Sequence, residues 1–386
     1  MPHQNRMTRV AITAIGVVAP GAIGIERFAA FLDSGKSAIA PYGTGSAALV
    51  RDFVPKEFIA PMKLRRMNKL SRLGVATAKL AAMDRGNPLP EGAGVAMGTA
   101  FGPMQTSVDY MQEYVEKGAA LAPPQLFAES VANAPGSHVG IEFGLRGFNV
   151  TLTQRESSAL AALMYAASQV AKGTVPAAIA GGVEEVSEIT FSVLDHIGAL
   201  GRCSRPFDRQ RDGMIIGEGG AALILEEKPA REPYAFISGF GMARDRTAAI
   251  SDWGEGVADV AAAMRAAIDD AEIAVEDIDA IYASANSGVR ADRLEYRAIQ
   301  SLFGDVPPVV ATKGYFGEYA AGGALQIVAA ALAIREQRLH ASAGFSEGES
   351  EMRFAPTRER SSRRLRHVLV NSLSAGGGVV SAVLSA

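Results

Sequence analysis

From Val10 to Ala19 the chain reads VAITAIGVVA, an almost unbroken apolar and β-branched run that stops at Pro20-Gly21. A continuous run of this kind predicts a strand buried on both faces and followed by a turn. Ile25–Leu32 then reads as a short helix ending near Gly35. Leu70–Arg85 carries apolar residues at helical spacing and stops at Gly86, a helix-ending residue. Ala93–Gly98 predicts a strand. Ser158–Lys172 predicts an Ala-rich helix closed by Gly173. Ala177–Ala180 predicts a strand entering Gly181-Gly182, and Ala221–Leu225 another strand.

The second half repeats this order. Tyr234–Gly241 (YAFISGFG) resembles the first strand and its glycine turn. Val257–Ala271 predicts an amphipathic helix, Ile278–Ala283 a strand, Leu294–Phe303 a helix and Val309–Ala311 a strand. Ala324–Arg335 predicts a second Ala-rich helix, and Val368–Val370 and Val379–Leu384 are closing strands. Strand, helix, strand, glycine turn and Ala-rich helix thus occur twice, an internal duplication with a period near half the chain. The charged, proline-containing segment Glu227–Pro233 separates residues 1–230 from 231–386. No low-complexity linker intervenes, so the halves are expected to pack as one unit.

Composition adds little to the fold and narrows the function. Of 386 residues, 48% are hydrophobic and 20% charged, which is globular. Small residues, including 41 glycines, suit helices lying close on a sheet. A net charge of -3 points away from nucleic acid and anionic membranes. Two basic runs, Lys63–Arg66 and Arg358–Arg366, are either solvated surface or docking patches for an acidic protein. Cys203 is the single cysteine, so no disulfide forms within the chain and a reducing compartment is expected. Met1–Arg9 is polar and basic without a signal-peptide core behind it, and no stretch reaches the roughly 18 apolar residues of a spanning helix. A soluble, cytoplasmic protein is expected.

Several segments, in order, resemble the β-ketoacyl synthase family. They are RVAITAIGVVAPGAIGIERFAAFLDSGKSAI, KLSRLGVATAKLAAMDRG, IEFGLRG, AAIAGGVEE, SRPFDRQRDGMIIGEGGAALILEE, TKGYFGEYAAGGA and NSLSAGGG. The SRPFD…RDG…GEG stretch is the most specific, because its length and internal spacing both match. The resemblance covers the whole chain. It implies an α/β, thiolase-like fold of five layers, αβαβα, built from two similar halves and dimeric. It implies no cofactor and no metal.

The resemblance also says where the family's chemistry belongs. Its members take an acyl chain onto a cysteine at a helix N-terminus, where the helix dipole favours the thiolate. Two histidines then serve decarboxylation and steady the developing negative charge. Counting back from Ala180-Gly181-Gly182 puts the cysteine position at Glu156, in QRESSAL. The first histidine position falls on Ser284, in ASANSG, and the second on Glu318, in TKGYFGEY. None of His3, His138, His196, His340 and His367 stands at either. Lys313 matches the family lysine, and Asp292 and Glu295 its acidic partners, so a structural ion cluster with a Lys313–Glu295 contact is expected. The family's Phe-Gly-Phe-Gly-Gly gate is replaced by Leu373-Ser374-Ala375-Gly376-Gly377.

Two readings of Glu156 stay open. It is an acid filling the old cysteine pocket and favoured by the helix dipole, or it forms a working carboxylate pair with Glu318. Cysteine loss in this family is mostly a feature of chain length factors. The resemblance therefore implies a non-catalytic subunit that pairs with an active ketosynthase, as part of a β-ketoacyl-carrier-protein synthase complex served by an acyl carrier protein. Such a subunit shapes the acyl tunnel in type II polyketide biosynthesis, with aryl polyene or other highly reducing systems as candidates. The alternatives are an enzyme using Glu156 and Glu318, and a carrier-protein docking module. The segment Thr106–Val131 is expected at the dimer contact, with Tyr110, Leu126 and Phe127 as tunnel or interface residues.

Overall fold

The computed structural model describes residues 9–386, and for 320–322 the backbone alone. Residues 1–8, which carry His3 and most of the basic leader, lie outside the described residues. Five strands from each half form the continuous path of an eleven-stranded sheet, whose remaining strand, Ala22–Ile23, is a short hairpin partner of the first strand. The first half supplies β1 (Val10–Ala19), β2 (Gly94–Gly98), β3 (Asn149–Leu152), β4 (Ala177–Glu184) and β5 (Gly219–Glu226). The second supplies β6 (Ala235–Arg244), β7 (Ala280–Tyr282), β8 (Val309–Val310), β9 (His367–Leu373) and β10 (Gly378–Ser385). Their spatial order is β8-β7-β9-β10-β6-β1-β5-β4-β2-β3.

That order is the duplication made visible. In each half the first strand pairs antiparallel with the last, as β1 with β5 and β6 with β10. The last pairs antiparallel with the strand before it, β5 with β4 and β10 with β9. Parallel pairs then lead outward, β4-β2-β3 and β9-β7-β8. The halves join where β1 meets β6 over Val10–Ile12.

The helices longer than a single turn, in chain order, are α1 (Ile25–Ser34), α2 (Lys69–Arg85), α3 (Met104–Lys117), α4 (Pro124–Glu129), α5 (Ala134–Phe143), α6 (Ser158–Ala171), α7 (Glu188–His196), α8 (Val257–Asp270), α9 (Val289–Leu302) and α10 (Ala320–Glu336). The Asn68 side chain starts α2 by accepting the Ser71 N–H at 2.6 Å, and Gly86 ends it in the left-handed region. α2 and α5 cover the outer face of the first half, and α8 the outer face of the second with α9 packed on it. The Ala-rich α6 and α10 lie between the two halves and touch strands of both. The result is helix, sheet, helix, sheet, helix: the thiolase-like architecture. Among the described residues no helix is long and apolar enough to cross a membrane.

Two differences from the sequence pattern have physical causes. The strand predicted to end at Ala180 runs on to Glu184, because Gly181-Gly182 is part of the ladder rather than a turn. A Cβ on Gly181 would stand 2.0 Å from the Ala221 carbonyl oxygen, so the glycine permits a close strand pair. The pattern also left 104–143 unassigned, where the structure has α3, α4 and α5. On α3 the buried face is thin, with Thr106 its one buried residue, so hydrophobic periodicity has little to mark.

Candidate functional site

The site is built at the entrance to α6. After β3 the chain makes a single tight turn, Arg155–Ser157, before the helix begins. Arg155 takes a positive φ of 49°, which makes the turn sharp. Ser158 holds it by accepting the Gln154 N–H at 2.8 Å and donating to the Arg155 carbonyl at 2.6 Å. Strand β2 ends directly against this point: a Cβ on Gly98 would lie 2.5 Å from the Ser158 backbone. Glu156 is thereby buried at the head of α6, with 3% exposure. Its Oε2 accepts the Ala375 N–H at 3.2 Å, and its carbonyl accepts from Ser372 Oγ at 3.3 Å.

The second half supplies the opposing groups. Ser284 follows β7, and its Oγ accepts the Leu373 N–H at 2.9 Å. Lys313 follows β8 and is 1% exposed. Its Nζ lies 2.7 Å from Glu318 Oε2 and makes a long contact, 3.5 Å, to Ser284 Oγ. Glu318 also accepts from Asn286 Nδ2 at 2.7 Å and from the Tyr319 N–H at 2.8 Å. Glu156, Ser284, Lys313 and Glu318 are therefore one connected group, joined through the backbone of residues 373–375.

The ion cluster is wired differently from expectation. Lys313 pairs with Glu318, five residues along its own loop, and not with Glu295. Glu295 Oε1 accepts the Ser284 N–H at 2.7 Å and Asn371 Nδ2 at 2.8 Å, while Oε2 has no hydrogen-bond partner among the described residues. Asp292 accepts the N–H groups of Phe207, Asn286 and Ser287, with Arg211 Nε 3.8 Å away. It anchors the SRPFD segment to the Ser284 loop. Three backbone amides serve Asp292, one amide and the Asn371 side chain hold Glu295, and the lysine reaches the acid five residues further along its own segment.

Burial dominates the electrostatics. It pushes the Glu156 carboxyl up to about 7, with Glu318 adding repulsion, against its own N–H, Lys313 and the Ala375 N–H. Burial also raises Glu318, with Lys313, Asn286 and the Tyr319 N–H pulling it back. Glu295 is pushed up to about 7 and Asp292 to about 6, again by burial first. Among these acids, Glu318 has the contacts of the one that carries charge, since an ammonium touches it directly.

Sequence reasoning missed several residues here. A cleft of about 490 Å³ is lined by Ala199, Met214, Trp253, Asn286 and Arg290, among others. Asn286 links it to the buried group through Glu318; its nearness to Ser284 in the chain was the available signal. Glu184 is fully buried, accepts from Thr99 Oγ1 and the Ala100 and Phe101 N–H groups, and is pushed up to about 8 by burial. Two glutamates directly after an apolar strand were its signal.

The remaining candidates stand apart. Cys203 is exposed on a loop. Tyr110 and Phe127 pack ring to ring at 5.5 Å on the outer arm formed by α3 and α4, with Phe127 58% exposed and Leu126 half-buried. In the basic runs, Lys63 pairs with Glu142, Arg360 with Asp33 and Arg366 with Asp277, so part of their charge is answered internally.

Comparison with known proteins agrees with this architecture. Residues 7–230 match the description of the beta-ketoacyl synthase N-terminal domain, and 234–346 that of its C-terminal domain. The chain is 30% identical to 3-oxoacyl-[acyl-carrier-protein] synthase 2 of Coxiella burnetii, covering 98% of each. It is 31% identical to the tetracenomycin polyketide synthase ketoacyl synthase alpha subunit of Streptomyces glaucescens, covering 98% of this chain and 97% of that one. Among solved structures, the ishigamide ketosynthase/chain length factor superposes with a TM-score of 0.91 at 25% identity, covering 98% of this chain and 99% of that one. The chain belongs to the beta-ketoacyl synthase family.

Proposed function

We propose that this chain is a non-catalytic ketosynthase-like subunit of the chain length factor type. It pairs with an active ketosynthase and shapes the acyl tunnel of that partner in a type II polyketide pathway, and an acyl carrier protein delivers substrate to the pair. The observation that carries this reading is the side chain of residue 156. Motif spacing puts the family's sulfur nucleophile there, and the group present is a buried carboxylate. A carboxylate forms no thioester. Its oxygen also occupies the Ala375 N–H, so that donor is not free to steady an oxyanion. Lys313 is committed to Glu318, and no imidazole stands in the connected group. Similarity to a ketosynthase/chain length factor structure supports the same reading.

The test is reconstitution with a ketosynthase that retains its cysteine and histidines. The two chains should co-purify as a heterodimer. Intact mass spectrometry should find acyl groups on the partner and none on this chain, and an acyl adduct on this chain overturns the reading. Glu156→Cys alone should form no carbon–carbon bond, because Ser284 and Glu318 still replace the imidazole donors.

A second reading is favoured by one observation, the pairing of Glu156, pushed up to about 7, with Glu318 nearby. Such a pair is suited to acid–base chemistry. It requires an activity of the chain alone that Glu156→Gln abolishes.

A further inference from the structure

Tyr319 lies next to the buried acid Glu318 and in the same apolar cluster as two residues of the cleft wall. Its N–H is held by Glu318 Oε1 at 2.8 Å, and Glu318 also accepts from Asn286, a wall residue of the cleft. Its ring packs edge-on against Phe101, centroids 4.6 Å apart. It belongs to the same apolar cluster as Met214 and Ala199, which line the cleft. Burial first, and then the charges of Glu156, Glu318 and Glu184, hold its hydroxyl well above the usual phenol range and so neutral. The residue is 2% exposed.

The backbone at this position is unusual. Tyr319 has φ 86° and ψ −161°, a region that is essentially glycine's. A bulky residue there is strained, and glycine would remove the strain at no steric cost. The strain is held by the Glu318 bond on one side and by the Gly323 N–H on the Tyr319 carbonyl, at 2.9 Å, on the other. What the tyrosine adds over glycine is its ring, which packs on Phe101 within the apolar cluster that includes Ala199 and Met214 of the cleft wall.

We propose that Tyr319, backed by Phe101, is a stopper that closes the cleft of this subunit against an acyl chain. The proposal deepens the reading of this chain as a non-catalytic subunit and rests on it. A thioester arm that enters the cleft reaches Asn286 and meets an aromatic wall, so the growing chain has room only in the partner. Removing the ring leaves a void beside Phe101 in an apolar cluster that includes Phe191, Leu194 and Met214, and an apolar cavity of that kind takes up apolar ligands.

The experiment is a calorimetric titration of the purified full-length chain with S-octanoyl-N-acetylcysteamine, an uncharged acyl thioester. Wild type and Tyr319→Phe, which keep the ring, should show no saturable binding. Tyr319→Gly should bind saturably, at least about tenfold more tightly than the weakest binding the titration resolves. Phe101→Trp placed in the Tyr319→Gly background should refill the void and remove the gain. Phe101→Ala gives a second route that leaves the Tyr319 backbone untouched, and it should also gain binding. Wild type binding as tightly as the variants overturns the proposal. So does a folded Tyr319→Gly and a folded Phe101→Ala that both bind no better than wild type. The titration needs no partner, so its failure leaves heterodimer formation intact, and a failed heterodimer leaves the titration readable.

Discussion

Two regions of this molecule invert the ordinary distribution of residues. Around Lys313 the interior holds Glu156, Glu295 and Glu318, each at most 3% exposed, where apolar side chains are the norm. On the arm formed by α3 and α4 the surface holds Met111, Val115, Leu121 and Phe127, each more than half exposed. The first inversion is largely answered from within: Lys313, Asn286, Asn371 and the amides of Ser284, Tyr319 and Ala375 bond the carboxylates, while Glu295 Oε2 is left without a partner among the described residues. The second is not answered by this chain. A groove of about 520 Å³ runs along α3 between Met104, Val108, Met111 and Val115. A polar interior that is satisfied internally belongs to the fold, whereas an apolar surface left open is what a partner covers. Substitutions in the two regions should therefore do different things: the first should cost stability, the second assembly.

The largest effect is expected at Lys313. Lys313→Met removes the ammonium from among three buried acids and should lower unfolding free energy by about 3–5 kcal/mol, as for other buried pairs broken on one side. A shift of the urea midpoint at unchanged slope measures it. A loss under about 1 kcal/mol would break the comparison, since it would mean that the acids sit neutral and need no cation.

A smaller effect concerns pH. The folded carboxyl of Glu156 is held up to about 7 from an ordinary 4.5, so the folded state binds this proton more tightly than the unfolded one. The stability it contributes is fully present below about 4.5 and is lost as pH rises through about 7. Glu295, also pushed up to about 7, acts in the same direction. Glu156→Gln should therefore gain on wild type as pH rises across this window, by on the order of a few kcal/mol, and the two should run parallel above it. Equal slopes of stability against pH for the two proteins would show that Glu156 does not titrate there.

The fold was legible because its central elements are patterned on one rule. VAITAIGVVA and YAFISGFG become the two strands that join the halves, and the Ala-rich runs become α6 and α10 between them. Motif spacing brought Glu156, Ser284 and Glu318 to notice before any geometry. What it could not give was pairing. Lys313 bonds Glu318 while Glu295 is held by the Ser284 N–H and Asn371, and that choice is a property of loop conformation, not of residue identity. The same holds for Tyr319, whose importance lies in a backbone angle that sequence does not display. The arm was missed as helices because its apolar residues are not arranged to face a core of this chain.

The smallest effect on stability, and the sharpest test of the comparison, lies on that arm. Phe127 is 58% exposed and rests only partly on Tyr110. Truncating a side chain that already faces water should change folding free energy by no more than about 0.5 kcal/mol. Phe127→Ala should leave the urea midpoint of the chain nearly where it was, with Tyr110→Ala somewhat lower because Tyr110 is half-buried. The effect should appear only in the pair. If the arm lines the floor of the partner's tunnel, smaller side chains admit more chain carbons, and the reconstituted heterodimer should release longer products at an unchanged condensation rate, since the proposed function assigns the chemistry to the partner. Mass spectrometry of the product mixture reads this directly. A stable, fully active heterodimer with unchanged product lengths for both substitutions removes these residues from the floor. Loss of the heterodimer with the chain still folded assigns them to the contact itself, which keeps the contrast between the two regions and moves the floor elsewhere. A loss of folding stability as large as that of Lys313→Met would end the contrast, because the arm would then belong to the core of this chain.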